Sequence, residues 1–246
     1  MREIRVKEAL LFCLVAMVTV FLGGCKRDLP EPCPSFPKED GYTYVKGEGA
    51  GFKLRLPSWV GIVPTGDCSH VRSANMSFLW YQGKIRPMDG SFERSVSSAD
   101  YRRIWVGLGG FSNKTDLLQK EKEVSVWRYE GGIPHEKYPL EIYPRSSQSP
   151  RQSDDVMWGV RNTTDPITGR PVRASCDIAP ASKDWRSAAQ GEFSKHGDSK
   201  CAAYLRVAKG EKIVMATVYI WVESIDHIDQ IVNSIQYELV GMIVER

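Results

Sequence analysis

The four histidines of this chain are the side chains best suited to proton transfer near neutral pH. They are His70, His135, His196 and His227. Members of a catalytic triad can lie far apart in sequence, so any of the four could in principle act as a base. The chain lacks the Gly-x-Ser-x-Gly, His-Glu-x-x-His, phosphate-loop and Gly-x-Gly-x-x-Gly motifs that would supply their partners. We therefore interpret the histidines as exposed or capping residues and predict a protein without catalytic residues.

Two pairs of aspartates are the best candidates for metal ligands. Asp154 and Asp155 are adjacent in a polar stretch, and Asp226 and Asp229 are three residues apart near the C-terminus. The second pair falls in the first turn of a predicted helix, where the helix dipole favours acidic residues without any metal. We predict no metal and no cofactor.

The first 24 residues have the three parts of a secretory signal peptide. Basic residues open the chain, an apolar run covers residues 9–22, and small residues precede Cys25. A run of this length is too short to cross a hydrocarbon layer of about 30 Å comfortably. The string Leu22-Gly23-Gly24-Cys25 resembles the lipobox of bacterial lipoproteins.

The resemblance to the lipobox implies that Cys25 receives a diacylglycerol and becomes the acylated first residue of the mature protein. Two or three acyl chains, such as palmitate, would anchor it stably. Lys26 is similar to the residue found after the cysteine in outer-membrane-sorted lipoproteins, which implies an outer-membrane location facing the periplasm. Residues 25–41 are predicted to form a stiff tether, because they contain four prolines: Pro30, Pro32, Pro34 and Pro37.

Four cysteines remain beyond the signal peptide and Cys25. An even number in an exported protein indicates disulfides, here with three possible connectivities. We favour the sequence-local pairing, with bonds Cys33–Cys68 and Cys176–Cys201. A zinc site is not favoured, because no two of these cysteines have Cys-x-x-Cys spacing and no histidine lies beside them at ligand spacing.

Tryptophan, tyrosine and arginine are enriched at binding hot spots, so they guide the search for a partner surface. Residues 145–155 have almost no apolar side chains and predict an exposed loop. Arg145, Arg151 and Arg161 flank this loop, and Trp158 follows it on a predicted strand. We expect these four residues to contact a protein partner.

The charge and composition of the chain exclude two classes of partner. The formal net charge is +3, too small an excess for binding nucleic acid or an anionic membrane surface. Hydrophobic residues make up 42% of the chain, which is enough for a packed core. The membrane contact that we expect is therefore made through the N-terminal lipid.

Alternating apolar and polar residues predict mainly β-strands after residue 41. Two hairpins are indicated, 156–161 with 172–178 and 201–208 with 212–222, which would make Cys176 and Cys201 neighbours. A strand over residues 103–108 is expected to end at a glycine cluster: Gly107, Gly109 and Gly110.

The clearest helix is predicted over residues 224–239, with Ser224 as its N-cap. Its apolar residues recur at a spacing of three and four, so they should form one stripe that packs on the sheet. The stripe consists of Ile225, Ile228, Ile231, Val232, Ile235 and Leu239. A shorter, charged helix is predicted over residues 114–123.

The expected fold class is α+β: a mainly antiparallel, sandwich-like sheet over residues 42–246, with the C-terminal amphipathic helix packed on it. The segment Gly51-Phe-Lys-Leu-Arg-Leu-Pro57 with Trp59, together with the last strand and helix, resembles the PsbP/Mog1-type sandwich. That resemblance implies a fold but no functional residues. A boundary between two subdomains near residues 145–155 is left open.

A lipid anchor, disulfides and the lack of a catalytic motif predict a non-enzymatic binding protein. This layout resembles the immunity lipoproteins paired with type VI secretion effectors, which implies neutralisation of a toxin in the periplasm by protein–protein contact. Two alternatives remain open. One is a structural or assembly lipoprotein of an envelope complex, and the other is a lipoprotein hydrolase or small-ligand binder with dispersed site residues.

Overall fold

The computed structural model describes residues 36–49, 52–65, 67–88, 90, 92, 94, 97–123, 132–143, 157–179, 185–193 and 199–244. The predicted signal peptide, Cys25, Cys33 and most of the predicted tether lie outside these residues. Ser35–Arg246 forms one compact unit. Among the described helices, none is long and apolar enough to cross a membrane.

A ten-stranded antiparallel sheet dominates the described part of the chain. It contains β4 (Gly61–Pro64), β5 (Val71–Tyr81), β6 (Lys84–Pro87), β7 (Arg102–Asn113), β8 (Ile133–Pro134), β9 (Leu140–Tyr143), β10 (Met157–Val160), β11 (Val172–Cys176), β14 (Lys200–Lys209) and β15 (Lys212–Trp221). The strand order is β4-β5-β7-β15-β14-β11-β10-β9-β8, and β6 also pairs with β5. The predicted α+β class with a mainly antiparallel sheet is confirmed.

Two smaller sheets accompany it. The first consists of β1 (Lys38–Glu39), β2 (Tyr42–Lys46) and β3 (Lys53–Pro57), and the second of β12 (Ile178–Ala179) and β13 (Glu192–Phe193). The turn between β1 and β2 places Asp40 at φ +49° and Gly41 at φ +78°, as a tight hairpin turn requires. Lys38 and Glu39, which the sequence placed in the tether, therefore belong to the folded domain.

Both predicted hairpins are present. β10 pairs with β11, and β14 pairs with β15 over their full length around Gly210-Glu211. Cys176 and Cys201 lie opposite each other in the β11–β14 register and form the disulfide predicted for them. Cys68 is also half of a disulfide, but Cys33 lies outside the described residues, so the Cys33–Cys68 bond stays a prediction.

The prediction that a glycine cluster ends the strand near residue 108 is wrong. Gly107, Gly109 and Gly110 lie inside β7. The register shifts between Met215 and Ala216 of β15, opposite Gly110 and Leu108, so Gly109 is the extra residue of a β-bulge. A Cβ atom on Gly110 would come within 2.3 Å of the Met215 Cε, so this glycine makes room for a side chain of the neighbouring strand.

One side of the ten-stranded sheet, the inner face, is packed under the C-terminal helix and the three-stranded sheet. The two α-helices of the described residues are α1 (Lys114–Glu123) and α2 (Ile228–Met242), and a 3-10 helix, Val222–His227, leads into α2. All six residues of the predicted apolar stripe are at most 1% exposed. The prediction that Ser224 is the N-cap is wrong, because Ser224 is buried within the 3-10 helix and its Oγ has no hydrogen-bond partner.

Residues 144–156, which include the possible subdomain boundary, lie outside the described residues. The strands on either side of them are neighbours: β9, which ends at Tyr143, pairs with β10, which begins at Met157. The two halves of the chain therefore share one sheet and one core.

Candidate functional site

The opposite side of the ten-stranded sheet, the outer face, carries exposed aromatic residues on three neighbouring strands. We call Trp105 of β7, Tyr204 of β14, and Tyr219 and Trp221 of β15 the aromatic face. Trp105 is 54% exposed, Tyr204 48% and Tyr219 37%. Contiguous apolar surface of this kind on a folded domain marks interaction sites.

Strand alternation and register bring the aromatic face together. Trp105 lies directly opposite Tyr219, and Trp221 follows two residues along β15 on the same side. The rings of Trp105 and Trp221 meet edge to face with their centroids 6.0 Å apart, a favoured geometry that helps to order both rings. Val218 and Ile220 alternate with Tyr219 and Trp221 along β15, point inward and are fully buried. The rings are thus presented by strands rather than by a loop.

The strands that surround the aromatic face carry positive charge. β7, β11, β14 and β15 contain no aspartate or glutamate. Four basic residues alternate onto the outer face from these strands: Arg103, Arg173, Lys200 and Arg206. Arg206 forms an ion pair with Asp165 from the loop between β10 and β11. Two more acidic residues lie beside them: Glu141 of β9 shares a row with Arg173 across Gly159, and Asp177 accepts a hydrogen bond from the Lys200 backbone N–H at 3.1 Å. Acidic side chains therefore accompany the basic ones on this face.

A pocket of about 320 Å³ opens beside the aromatic face. Tyr204 is part of its lining, together with Gly109, Arg173, Arg206 and Met215. The far end of the outer face is covered by a small apolar cluster, which consists of Leu117 from α1, Ile167 from the loop after β10, and Ile213. The pocket therefore lies between a packed end of the outer face and the exposed aromatic face.

The partner-binding residues predicted from the sequence do not form this site. Trp158 is 1% exposed and belongs to the core, so its prediction as a partner contact is wrong: alternation along β10 turns it toward the inner face. Arg161 donates from Nη2 to the Tyr138 carbonyl at 3.2 Å, which ties it to the segment after β8. Its Nε is buried and has no hydrogen-bond partner. Arg145 and Arg151 lie outside the described residues.

His135 is buried, at 3% exposure, so the expectation that all four histidines are exposed or capping is wrong. Its Nδ1 accepts hydrogen bonds from the backbone N–H groups of Lys137 at 3.1 Å and Tyr138 at 3.2 Å. Its Nε2 must then donate to the Gly191 carbonyl at 3.0 Å. Burial lowers the pKa of His135. The neutral ring satisfies all three hydrogen bonds, which gives this histidine a structural role.

The other candidates for chemistry are dispersed. His227 is exposed and packs on Trp80 with ring centroids 5.7 Å apart, and Asp229 accepts a hydrogen bond from Asn162 at 3.1 Å. Within the described ranges, no group of three or more His, Cys, Asp or Glu residues could hold a metal ion. Three candidates lie outside those ranges: Asp154, Asp155 and His196.

The fold and the outer face define the class of this protein as an α+β domain with one packed sheet face and one face that exposes aromatic residues. No protein-family model, curated protein sequence or solved structure matches the chain. The resemblances to the lipobox, to the PsbP/Mog1 sandwich and to immunity lipoproteins therefore stay predictions.

Proposed function

We propose that this chain is a lipid-anchored periplasmic protein that works by binding another protein, with the aromatic face as its docking surface. The observation that carries this proposal is the exposure of Trp105, Tyr204 and Tyr219 on one side of a paired sheet. These residue types dominate the energy of protein interfaces. Because strands hold the rings in place, little side-chain entropy remains to be lost on binding.

The partner that we propose is a toxin that acts in the periplasm. The lipobox-like string at Cys25 supports a location on the outer membrane facing the periplasm, and the lack of a catalytic motif supports neutralisation by binding. This is an immunity-type role, as in the lipoproteins paired with type VI secretion effectors.

Rescue of growth from a periplasmically directed toxin tests the proposal, with the products of adjacent genes as candidate toxins. The full chain is expected to bind its toxin and restore growth. Trp105→Ala should weaken toxin binding about 30-fold or more, as expected for a hot-spot residue. Tyr237→Ala is the matched control, because Tyr237 is an aromatic residue 80% exposed on α2, on the other side of the sheet. It should bind and rescue like the wild type.

Three outcomes would count against parts of this proposal. Equal toxin binding by the wild type and Trp105→Ala would contradict the docking role of the aromatic face. Failure of every candidate toxin to bind would contradict the immunity role. Co-purification with an outer-membrane complex that is lost in Trp105→Ala would replace the toxin by an envelope assembly while retaining the docking surface.

A further inference from the structure

A cleft of about 360 Å³ lies on the inner side of the ten-stranded sheet, and we call it the α2 cleft. It is bounded by the β1–β2 turn, the turn after β3, the β5–β6 hairpin and the C-terminal half of α2. The two turns are tied together, because the Ser58 backbone N–H donates to the Gly41 carbonyl at 2.8 Å. The cleft shares no lining residue with the aromatic face or with the pocket beside it.

Apolar residues form the walls of the α2 cleft. Trp59 and Phe78 meet edge to face, with ring centroids 5.5 Å apart. Phe78 and Met242 are buried, and Trp59 is partly buried against the same core. Ile85 and Pro87 of β6 complete the apolar wall on the side of the hairpin. Walls of this kind suit the hydrocarbon part of a ligand, and the volume suits a side chain or a small molecule.

Two carboxylates from different elements line the α2 cleft, Asp40 from the β1–β2 turn and Glu238 from α2. They are the charged residues of the described lining. Within the described part of the chain, neither carboxylate forms a hydrogen bond or an ion pair. α2 itself contains no lysine or arginine. An ammonium group has three N–H donors and no acceptor, so it can hydrogen-bond to both carboxylates at once.

The basic residues around the α2 cleft are directed elsewhere or offset. Arg55 lies over the ring of Tyr42, 4.5 Å from its centroid, and Glu39 lies opposite Tyr42 in the β1–β2 register, on the same side of that sheet. Lys38 alternates to the side opposite Glu39, and Lys209 donates to a carbonyl just beyond the end of α2. The two basic residues of β6 alternate with the two that line the cleft. No described lining residue therefore offsets the two carboxylates.

We infer that the α2 cleft binds an alkylammonium group, with the hydrocarbon chain along the apolar walls and the ammonium at Asp40 and Glu238. A chain of this kind combines an apolar stem with a charged head, as a lysine side chain does. Trp59 in the wall adds to the attraction, because tryptophan is the ring that binds cations most strongly. The ligand is either a free amine or a lysine side chain of a bound protein, and the site does not depend on the function proposed for the aromatic face.

Three small probes test the α2 cleft. Nα-acetyl-lysine N-methylamide carries the ammonium, Nα-acetyl-norleucine N-methylamide has the same stem without it, and n-butylammonium represents a free amine. The full chain in mild detergent, labelled with ¹³C at its methionine methyl groups, reports binding through the Met242 resonance, which Met242→Leu assigns. The lysine probe should shift this resonance saturably, and the norleucine probe should bind about tenfold more weakly or not at all, because it makes no charged hydrogen bond.

Two variants locate the ammonium. Glu238→Gln and Asp40→Asn should each weaken binding of the lysine probe about tenfold, because a charged hydrogen bond is lost. Asparagine keeps the turn, since it tolerates the φ of +49° that Asp40 adopts. Glu223→Gln makes the same change of charge at an exposed position of the 3-10 helix that leads into α2, far from the cleft, and should leave the affinity unchanged.

The outcomes decide the site first and the source of the ligand second. Equal responses to the lysine and norleucine probes, or unchanged affinity in both Glu238→Gln and Asp40→Asn, would overturn the alkylammonium site. Equal affinity for n-butylammonium and the lysine probe would support the site with a free amine as its ligand. Tighter binding of the lysine probe would support the site with a lysine side chain of a protein. The Trp105→Ala experiment tests the docking surface separately, because Trp105 does not line the cleft.

Discussion

The two faces of the ten-stranded sheet are built from the same strands but differ in what covers them. On the inner face, Val218 and Ile220 are fully buried under α2 and its neighbours. On the outer face, Tyr219 and Trp105 lie opposite each other and remain exposed. Hydrophobic burial explains the inner face completely. The outer face keeps large aromatic rings exposed to water, and this difference is the reason for proposing it as a contact surface.

The largest expected difference between the faces concerns two tryptophans. Trp158→Ala empties a fully buried site and should lower the free energy of unfolding by about 3–5 kcal/mol. Trp105→Ala removes an exposed ring with one edge-to-face contact and should cost about 1 kcal/mol or less. Urea unfolding of both variants measures the two values. A similar loss in both would mean that Trp105 supports the fold, and its assignment to a docking surface would then fail.

A slightly smaller effect is expected where a charge is buried beneath the outer face. Asp165→Ala leaves the Arg206 guanidinium without its carboxylate and should cost about 3 kcal/mol. Asp229→Ala, at a more exposed position hydrogen-bonded to Asn162, should cost about 1 kcal/mol or less. The same unfolding experiment compares them. Equal losses would show that burial does not decide the strength of these two polar contacts.

Sequence patterns predict the inner face better than the outer one. The spacing of Ile228, Ile231 and Ile235 is enough to identify a buried helix stripe, because that helix signal is local. The alternation in β7 and β15 already separates the aliphatic residues from Trp105 and Tyr219. However, only the pairing of these two strands, which are distant in sequence, brings the two rings together. Trp158 illustrates the same limit. Alternation along β10 separates its two faces, but it does not show which face the rest of the fold covers.

A third comparison concerns space for one added methyl group. Gly47→Ala would place a Cβ atom 2.5 Å from Cγ of the buried Phe111 ring, and such overpacking should cost about 1–3 kcal/mol. Gly109→Ala adds the same atom in open space on the outer face and should change stability by less than about 1 kcal/mol, in the stabilising direction. Thermal unfolding midpoints of the two variants provide the measurement. A destabilised Gly109→Ala would mean that the pocket wall is less open than its geometry indicates.

The smallest effect expected on the packed side is a dependence on pH, because it comes from a single proton on His135. Burial lowers the pKa of this histidine from its usual 6.5, against opposing contributions from its hydrogen bond to Gly191 and from Glu136, while Arg161 and Lys137 act in the same direction as burial. The folded state therefore favours the neutral ring. Its stabilising contribution is complete above pH 6.5, where the unfolded chain is also neutral, and is lost as the pH falls toward the lowered pKa of the folded state.

His135→Gln separates this effect from the titration of other groups. Glutamine can donate to a carbonyl and accept from a backbone N–H, but it takes up no proton in this range. The wild type should lose stability between pH 7 and 5 more steeply than His135→Gln, as measured by urea unfolding across that range. His227→Gln, at an exposed histidine, should retain the wild-type slope. If the stability of the wild type and of His135→Gln depended equally on pH, the contact between the β8–β9 turn and Gly191 would not require the neutral ring. The packed side of the sheet would then have no pH-sensitive contact at this position.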